Sequence, residues 1–174
     1  MLSDPCSCSG NDDGRDRSGR SGQKTSDVYR VSFPRTDLHV SIGGLSIKPG
    51  LALGSWAAFI GTEENAMVMS DLVLLDRELN PGMAKLRSAG FEITAVHNHL
   101  MEEIPKVLYL HYMGHGVAAQ LATALRAAIS VSKTPLEKPA AAAEEPASPA
   151  WVKSVEGAVG RKGTLKGGVR RPFQ

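Results

Sequence analysis

The sequence predicts an α+β domain: a mostly antiparallel sheet with helices packed on one face, in which β-hairpins are followed by a β-α-β-β-α run. Three features point there. Residues 27–133 carry short apolar runs separated by Gly-, Pro- and Asn-containing turns. Two stretches inside that span change to helical spacing. The flanking segments hold few core formers, so one domain within the 174 residues is expected to pack, and not the whole chain.

The elements follow in order. Val28–Phe33 reads as a strand that Pro34 ends. Leu38–Ile42 and Leu45–Ile47 form a hairpin around Gly43-Gly44, a dipeptide suited to the positive φ angles of a two-residue turn. Leu51–Ile60 and Met67–Leu75 are strand-like and joined by the polar turn GTEENA. Asn80-Pro81 reads as cap and first helical residue. Leu79, Met83 and Leu86 keep helical spacing, and Gly90 stops the helix. Phe91–His99 is a strand, a loop carries Glu102, Glu103 and Pro105, and Lys106–Met113 is the next strand. Val117, Leu121, Ala124, Leu125 and Ala128 mark a closing helix that Pro135 cannot prolong.

Outside this unit the composition changes. Residues 1–26 are expected to form a disordered leader. Residues 134–150, with four Pro and six Ala, read as a semi-stiff linker. The net charge of +2 is uneven: residues 27–133 carry −1 and the basic tail 151–174 carries +5. Such a tail can touch phosphates of nucleic acid or lipid, but a solubilising or truncated end is the commoner meaning, so nucleic acid is not the expected partner. Gly19-x-x-Gly22 followed by Val28-x-Arg30 recurs as Gly160-x-x-Gly163 followed by Val169-x-Arg171, at an offset of 141 residues. This echo reads the tail as the opening of a second repeat, truncated at Gln174. Cys6 and Cys8 are too close for an unstrained bridge and too few for a zinc site, so they read as free thiols. No apolar run reaches 18 residues, which argues against a spanning helix. The N-terminus lacks a signal-peptide pattern, so the chain as written is expected to be cytoplasmic.

The strongest chemical signal is histidine clustering. Four of the five histidines fall between residues 97 and 115. His97 and His99 share one face of a strand. His111 joins them if 97 pairs with 111, whereas a one-residue slip sends it to the opposite face. His115 follows in Gly114-His115-Gly116, where glycine allows close approach. Three or four neutral imidazoles suit a divalent transition metal, zinc being the first guess. Glu102 or Glu103 could add a carboxylate, Asp71 could support an imidazole N–H, and His115 or Glu103 are the candidates for acid/base work. The alternative is that these histidines are surface residues or hydrogen-bonded core residues. The string His97-x-His99-x3-Glu103 is similar to a first cupin motif, but no second motif follows. Ser55 lacks the second glycine of a nucleophile elbow. Trp56 and Phe59 read as core or pocket wall. Arg30 and Arg35 flank an aromatic strand and read as solvated strand ends, with an anion site as the lesser reading.

The segments VYRVSFPRTDL (28–38), LALGSWAAF (51–59), AMVMSDLVL (66–74), ELNP (78–81), EITAVHNHL (92–100) and HYMGHG (111–116) resemble, in order, the LppY/LpqO family, the domain of unknown function DUF1259. The resemblance implies two related halves per protein and secreted or envelope-associated relatives, and it brings no established activity. Ser70 stands where the family usually has Gly. A site shared between two halves would need a homodimer to restore it here. The sequence therefore suggests a metal-binding domain, with metal-assisted hydrolysis or isomerisation as the chemistry if it is catalytic. The other reading is a non-catalytic envelope-associated or small-ligand-binding module. Metal uptake that weakens below about pH 6, where imidazoles protonate, would separate them.

Overall fold

The structure, a computed structural model, describes residues 22–137, 149–166 and 169–172. Its centre is a six-stranded antiparallel sheet. In chain order its strands are β1 (Gln23–Thr25), β2 (Val28–Pro34), β5 (Gly54–Gly61), β6 (Ala66–Leu75), β7 (Glu92–Asn98) and β8 (Val107–Gly116). Their spatial order is β1-β2-β5-β6-β8-β7. Helices α2 (Asp76–Ser88) and α3 (Ala118–Ile129) cover one face. There Val31, Phe33, Val68, Leu72 and Leu110 meet Leu86, Leu121, Leu125 and Ile129 in the main core. This is the expected α+β architecture. No helix among the described residues is long and apolar enough to cross a membrane.

Among the described residues the opposite face is covered only at one end. The predicted hairpin, β3 (Val40–Ile42) and β4 (Leu45–Ile47), turns on Gly43 and Gly44, both with positive φ. It packs Val40 and Ile47 on Val73, Val107 and Tyr109. Two backbone hydrogen bonds between Ser41 and Ile104 tie it to the loop after β7. Further along, β5, β6 and β8 expose this face.

Several expectations are corrected. Helix α2 begins at Asp76, five residues before Pro81, which lies inside it. Glu78 explains the earlier start: its carboxylate accepts the Leu75 N–H at 2.9 Å, and acidic residues suit the first turn. Pro81 then forgoes only the bond to the Arg77 carbonyl. Residues Pro49–Ala52 form a helical turn, α1, so the next strand starts at Gly54 and not at Leu51. Strand β1 falls in the stretch expected to be a leader, because it can pair with the exposed edge of β2. Thr134 is buried and Leu136 packs on the core, which carries the domain slightly past residue 133. The readings of Cys6 and Cys8 lie outside the described residues.

Arg35 is the largest departure. It is 0% exposed, and all five guanidinium N–H groups are used. They donate to Asp37 (2.9 and 2.8 Å), Glu78 (2.8 and 3.3 Å) and the Val73 carbonyl (2.7 Å). Burial disfavours the cation, but Asp37 and Glu78 outweigh it and hold its pKa above the ordinary value. Arg35 thus clamps the end of β2 to β6 and α2 and is no solvated strand end.

Beyond the sheet, α4 (Trp151–Val159) precedes a hairpin of β9 (Gly163–Lys166) and β10 (Val169–Pro172). Lys166 pairs with Val169 and Thr164 with Arg171. Thr25 pairs with Val28 and Gln23 with Arg30 in the same register, 141 residues earlier.

Gly114 allows the sheet and α3 to close. A Cβ there would lie 2.6 Å from the Phe91 ring and 3.3 Å from Leu121. That ring is buried and set edge-on to Tyr112 at 5.3 Å, so it has little room to yield. Gly114→Ala is expected to destabilise by about 1–3 kcal/mol, read as a lower urea midpoint with unchanged slope.

Candidate metal centre

The sheet register decides which side chains meet. Antiparallel partners share a face. On the exposed face Trp56, Asp71, His111 and Ala95 form one row across β5, β6, β8 and β7. Val73, Tyr109 and His97 form the next. His97 therefore opposes Tyr109 and not His111. The two-residue offset keeps the parity, so His97 and His111 remain on one face as diagonal neighbours. A one-residue bulge at Thr94 sets this parity, since without it His97 would oppose Leu108 and lie on the other face.

The two imidazoles meet edge to edge. Their Nε2 atoms are 2.8 Å apart and their ring planes differ by 14°. The 4.9 Å between ring centroids is close to that gap plus two ring radii, so nitrogen faces nitrogen. The outer nitrogens indicate where the protons sit. His97 Nδ1 lies 3.1 Å from the Asn98 carbonyl, which can only accept, so Nδ1 carries the hydrogen. His111 Nδ1 faces the Asp71 carboxylate at 3.9 Å, too far for a hydrogen bond but close enough to favour a hydrogen there too. With the hydrogen on Nδ1 in both rings, the two Nε2 lone pairs would point at one another. Two lone pairs at 2.8 Å repel, and a cation between them removes the repulsion.

Asp71 and Tyr109 form the floor. Asp71 is 9% exposed, and its Oδ1 has no hydrogen-bond partner among the described residues. Burial raises its pKa, while His111, His97, His99 and Arg30 oppose the rise. The Tyr109 hydroxyl is buried without a partner as well, and burial together with Asp71 and Glu103 pushes its pKa upward. His99, just past the end of β7, packs its ring over Tyr109 at 4.4 Å and lies 6.2 Å from the His97 ring. Arg30 sits 3.9 Å above the Trp56 ring, a cation–π contact bordering the row.

The other candidates fall elsewhere. His115 shares the face but opposes Met67, four residues up β8 from His111 and hence about 13 Å away. Glu103 is buried and accepts the Val107 N–H at 3.1 Å, which occupies it in holding the loop. Glu102 is exposed at a positive φ of 61°. Among the described residues no group of three or more His, Cys, Asp or Glu side chains is arranged to hold a metal ion. The structure thus brings together His97, His111 and Asp71, with His99 adjacent. Tyr109 escaped the sequence reading, although its spacing of two from His111 already put it on that face.

Among the described residues the centre is an exposed surface, His97 and His99 both being exposed. A groove of about 600 Å³ runs between Lys24, Tyr29, Phe59, Glu63 and Ala118, and another of about 550 Å³ between Leu45, Leu51, Trp151 and Val159. Neither borders the histidines.

No curated protein and no solved structure shows significant similarity to the chain. Residues 15–131 match the family described as Domain of Unknown Function (DUF1259). The match spans most of the chain, including the whole six-stranded sheet and both histidine strands, and the chain belongs to the DUF1259 family.

Proposed function

We propose that this domain binds a divalent transition metal between His97 and His111, with His99 as third ligand and Asp71 supporting His111. The observation that carries the reading is the head-on approach of two Nε2 atoms at 2.8 Å, with both outer nitrogens turned to oxygen acceptors. Tetrahedral zinc with bonds of about 2.0–2.1 Å needs its nitrogens about 3.3 Å apart, so the pair must open by about 0.5 Å and each ring must turn by roughly 35° to aim its lone pair at the metal. The Asp71–His111 gap would close by about 1 Å to give the carboxylate–histidine–metal arrangement that raises ligand basicity. His99 must swing from Tyr109 toward His97. The exposed side of the pair leaves a position for water, which suits metal-assisted hydrolysis or isomerisation.

A metal-free reading has its own support: a proton shared between the two rings satisfies the same geometry. Zinc titration of the full chain by calorimetry, with His97→Ala and His111→Ala beside it, separates them. One equivalent bound by the parent and lost in both variants supports the metal. Absence of zinc, nickel and copper uptake in the folded parent overturns it and leaves the proton pair. The shared register of β9–β10 and β1–β2 supports reading the second hairpin as a repeat of the first.

A further inference from the structure

The same face carries a second set of donors. Met67 opposes His115 and Met69 opposes Met113 across β6 and β8. Three of the chain's six methionines therefore share a two-by-two patch with the histidine that the first centre leaves out. Opposed residues have Cβ atoms about 5 Å apart, and neighbours along a strand on one face are about 7 Å apart. The centre of such a rectangle is about 4 Å from each corner, within reach of a thioether or an imidazole. Met69 is 54% exposed, His115 is exposed, and Met67 and Met113 are half-buried, so the donors are accessible and their bases are fixed by the sheet.

The composition of the patch is informative. Exposed strand positions favour β-branched residues, and a flexible unbranched thioether is a poor choice for sheet stability alone. Thioether sulfur is soft and uncharged. It binds hard or borderline dications weakly and prefers Cu(I) and its analogue Ag(I). We propose that Met67, Met69, Met113 and His115 form a site for a soft monovalent metal ion, Cu(I) in chemical class, separate from the His97–His111 pair. Its centre lies about 10 Å from His111 along β8, so the two sites divide one sheet face between a borderline dication and a soft monocation. Binding is simple coordination and needs no oxidant or reductant.

The test uses the full chain carrying Cys6→Ser and Cys8→Ser, which removes the thiols that would compete for a soft metal. Ag(I) serves as the probe, and methionines are labelled with ¹³C at the methyl. One equivalent of Ag(I) is expected to shift the Met67, Met69 and Met113 methyl signals and leave Met83, which packs against the core, in place. Met69→Leu/Met113→Leu conserves volume and should keep the fold. It is expected to weaken Ag(I) binding by roughly tenfold or more while leaving zinc uptake unchanged. His97→Ala/His111→Ala should do the reverse. Ag(I) binding that survives the methionine changes, or methyl signals that do not move, overturns the proposal whatever zinc does. The methionines would then be an apolar contact surface.

Discussion

Arg35→Met should lower the unfolding free energy by about 3–5 kcal/mol, because removing one partner strands the other's buried charge. Glu78 would lose the guanidinium it pairs with and keep the Leu75 N–H, while the Val73 carbonyl would lose a buried donor. The loss is large beside the roughly 5–15 kcal/mol that holds a domain together. Arg35→Lys should recover little, since an ammonium cannot reproduce five donors in a planar fork. Arg35→Met with Glu78→Leu should recover part of the loss, because the second change removes the stranded charge. Urea unfolding of the four proteins measures this. A loss below about 1 kcal/mol for Arg35→Met would show that the network is structurally dispensable.

Asp71→Asn should move stability and metal affinity in opposite directions. The folded carboxyl titrates above its unfolded value because burial penalises its charge. Folded protein therefore holds this proton more tightly, and stability falls as pH rises from the unfolded value through the folded one. Above the folded value the penalty is fully present, and among the described residues Oδ1 has no hydrogen bond to offset it. Asn removes the charge, so the variant should gain on the order of 1 kcal/mol wherever the folded carboxyl is ionised. The gain should shrink below about pH 4, where the unfolded carboxyl protonates too. The same change removes the partner behind His111 Nδ1, so zinc affinity should fall by about 10–100-fold. Thermal melts at pH 7 and pH 4, with zinc titrations, test both halves. A stability loss at pH 7 would mean that Asp71 serves packing and not the site. This trade is what a functional carboxylate buried in a sheet predicts.

Local patterns in the sequence carried the fold class, the Gly43-Gly44 hairpin, the closing helix and the two histidine strands. These depend on steric turn preferences and on periods of two and 3.6 residues, which neighbouring residues reveal without a partner. The presence of His97, His99, His111 and Asp71 in one candidate set was legible for the same reason. What remained was pairwise. The offset that sets His97 opposite Tyr109 depends on a bulge at Thr94, and no run of residues announces which strand will absorb it. Arg35 looked like a solvated strand end because its counter-ions are Asp37 and Glu78, and Glu78 is 43 residues away. That pairing also draws the start of α2 back to Asp76, against the local signal of Asn80-Pro81. His115 looked like a fourth ligand because it lies close in sequence, but an extended strand moves residues apart by about 3.3 Å each. The chain alone thus determined which residues can lie on one face. Only the tertiary structure decided which of them touch, because strand register and the burial of charge are set by partners distant in sequence.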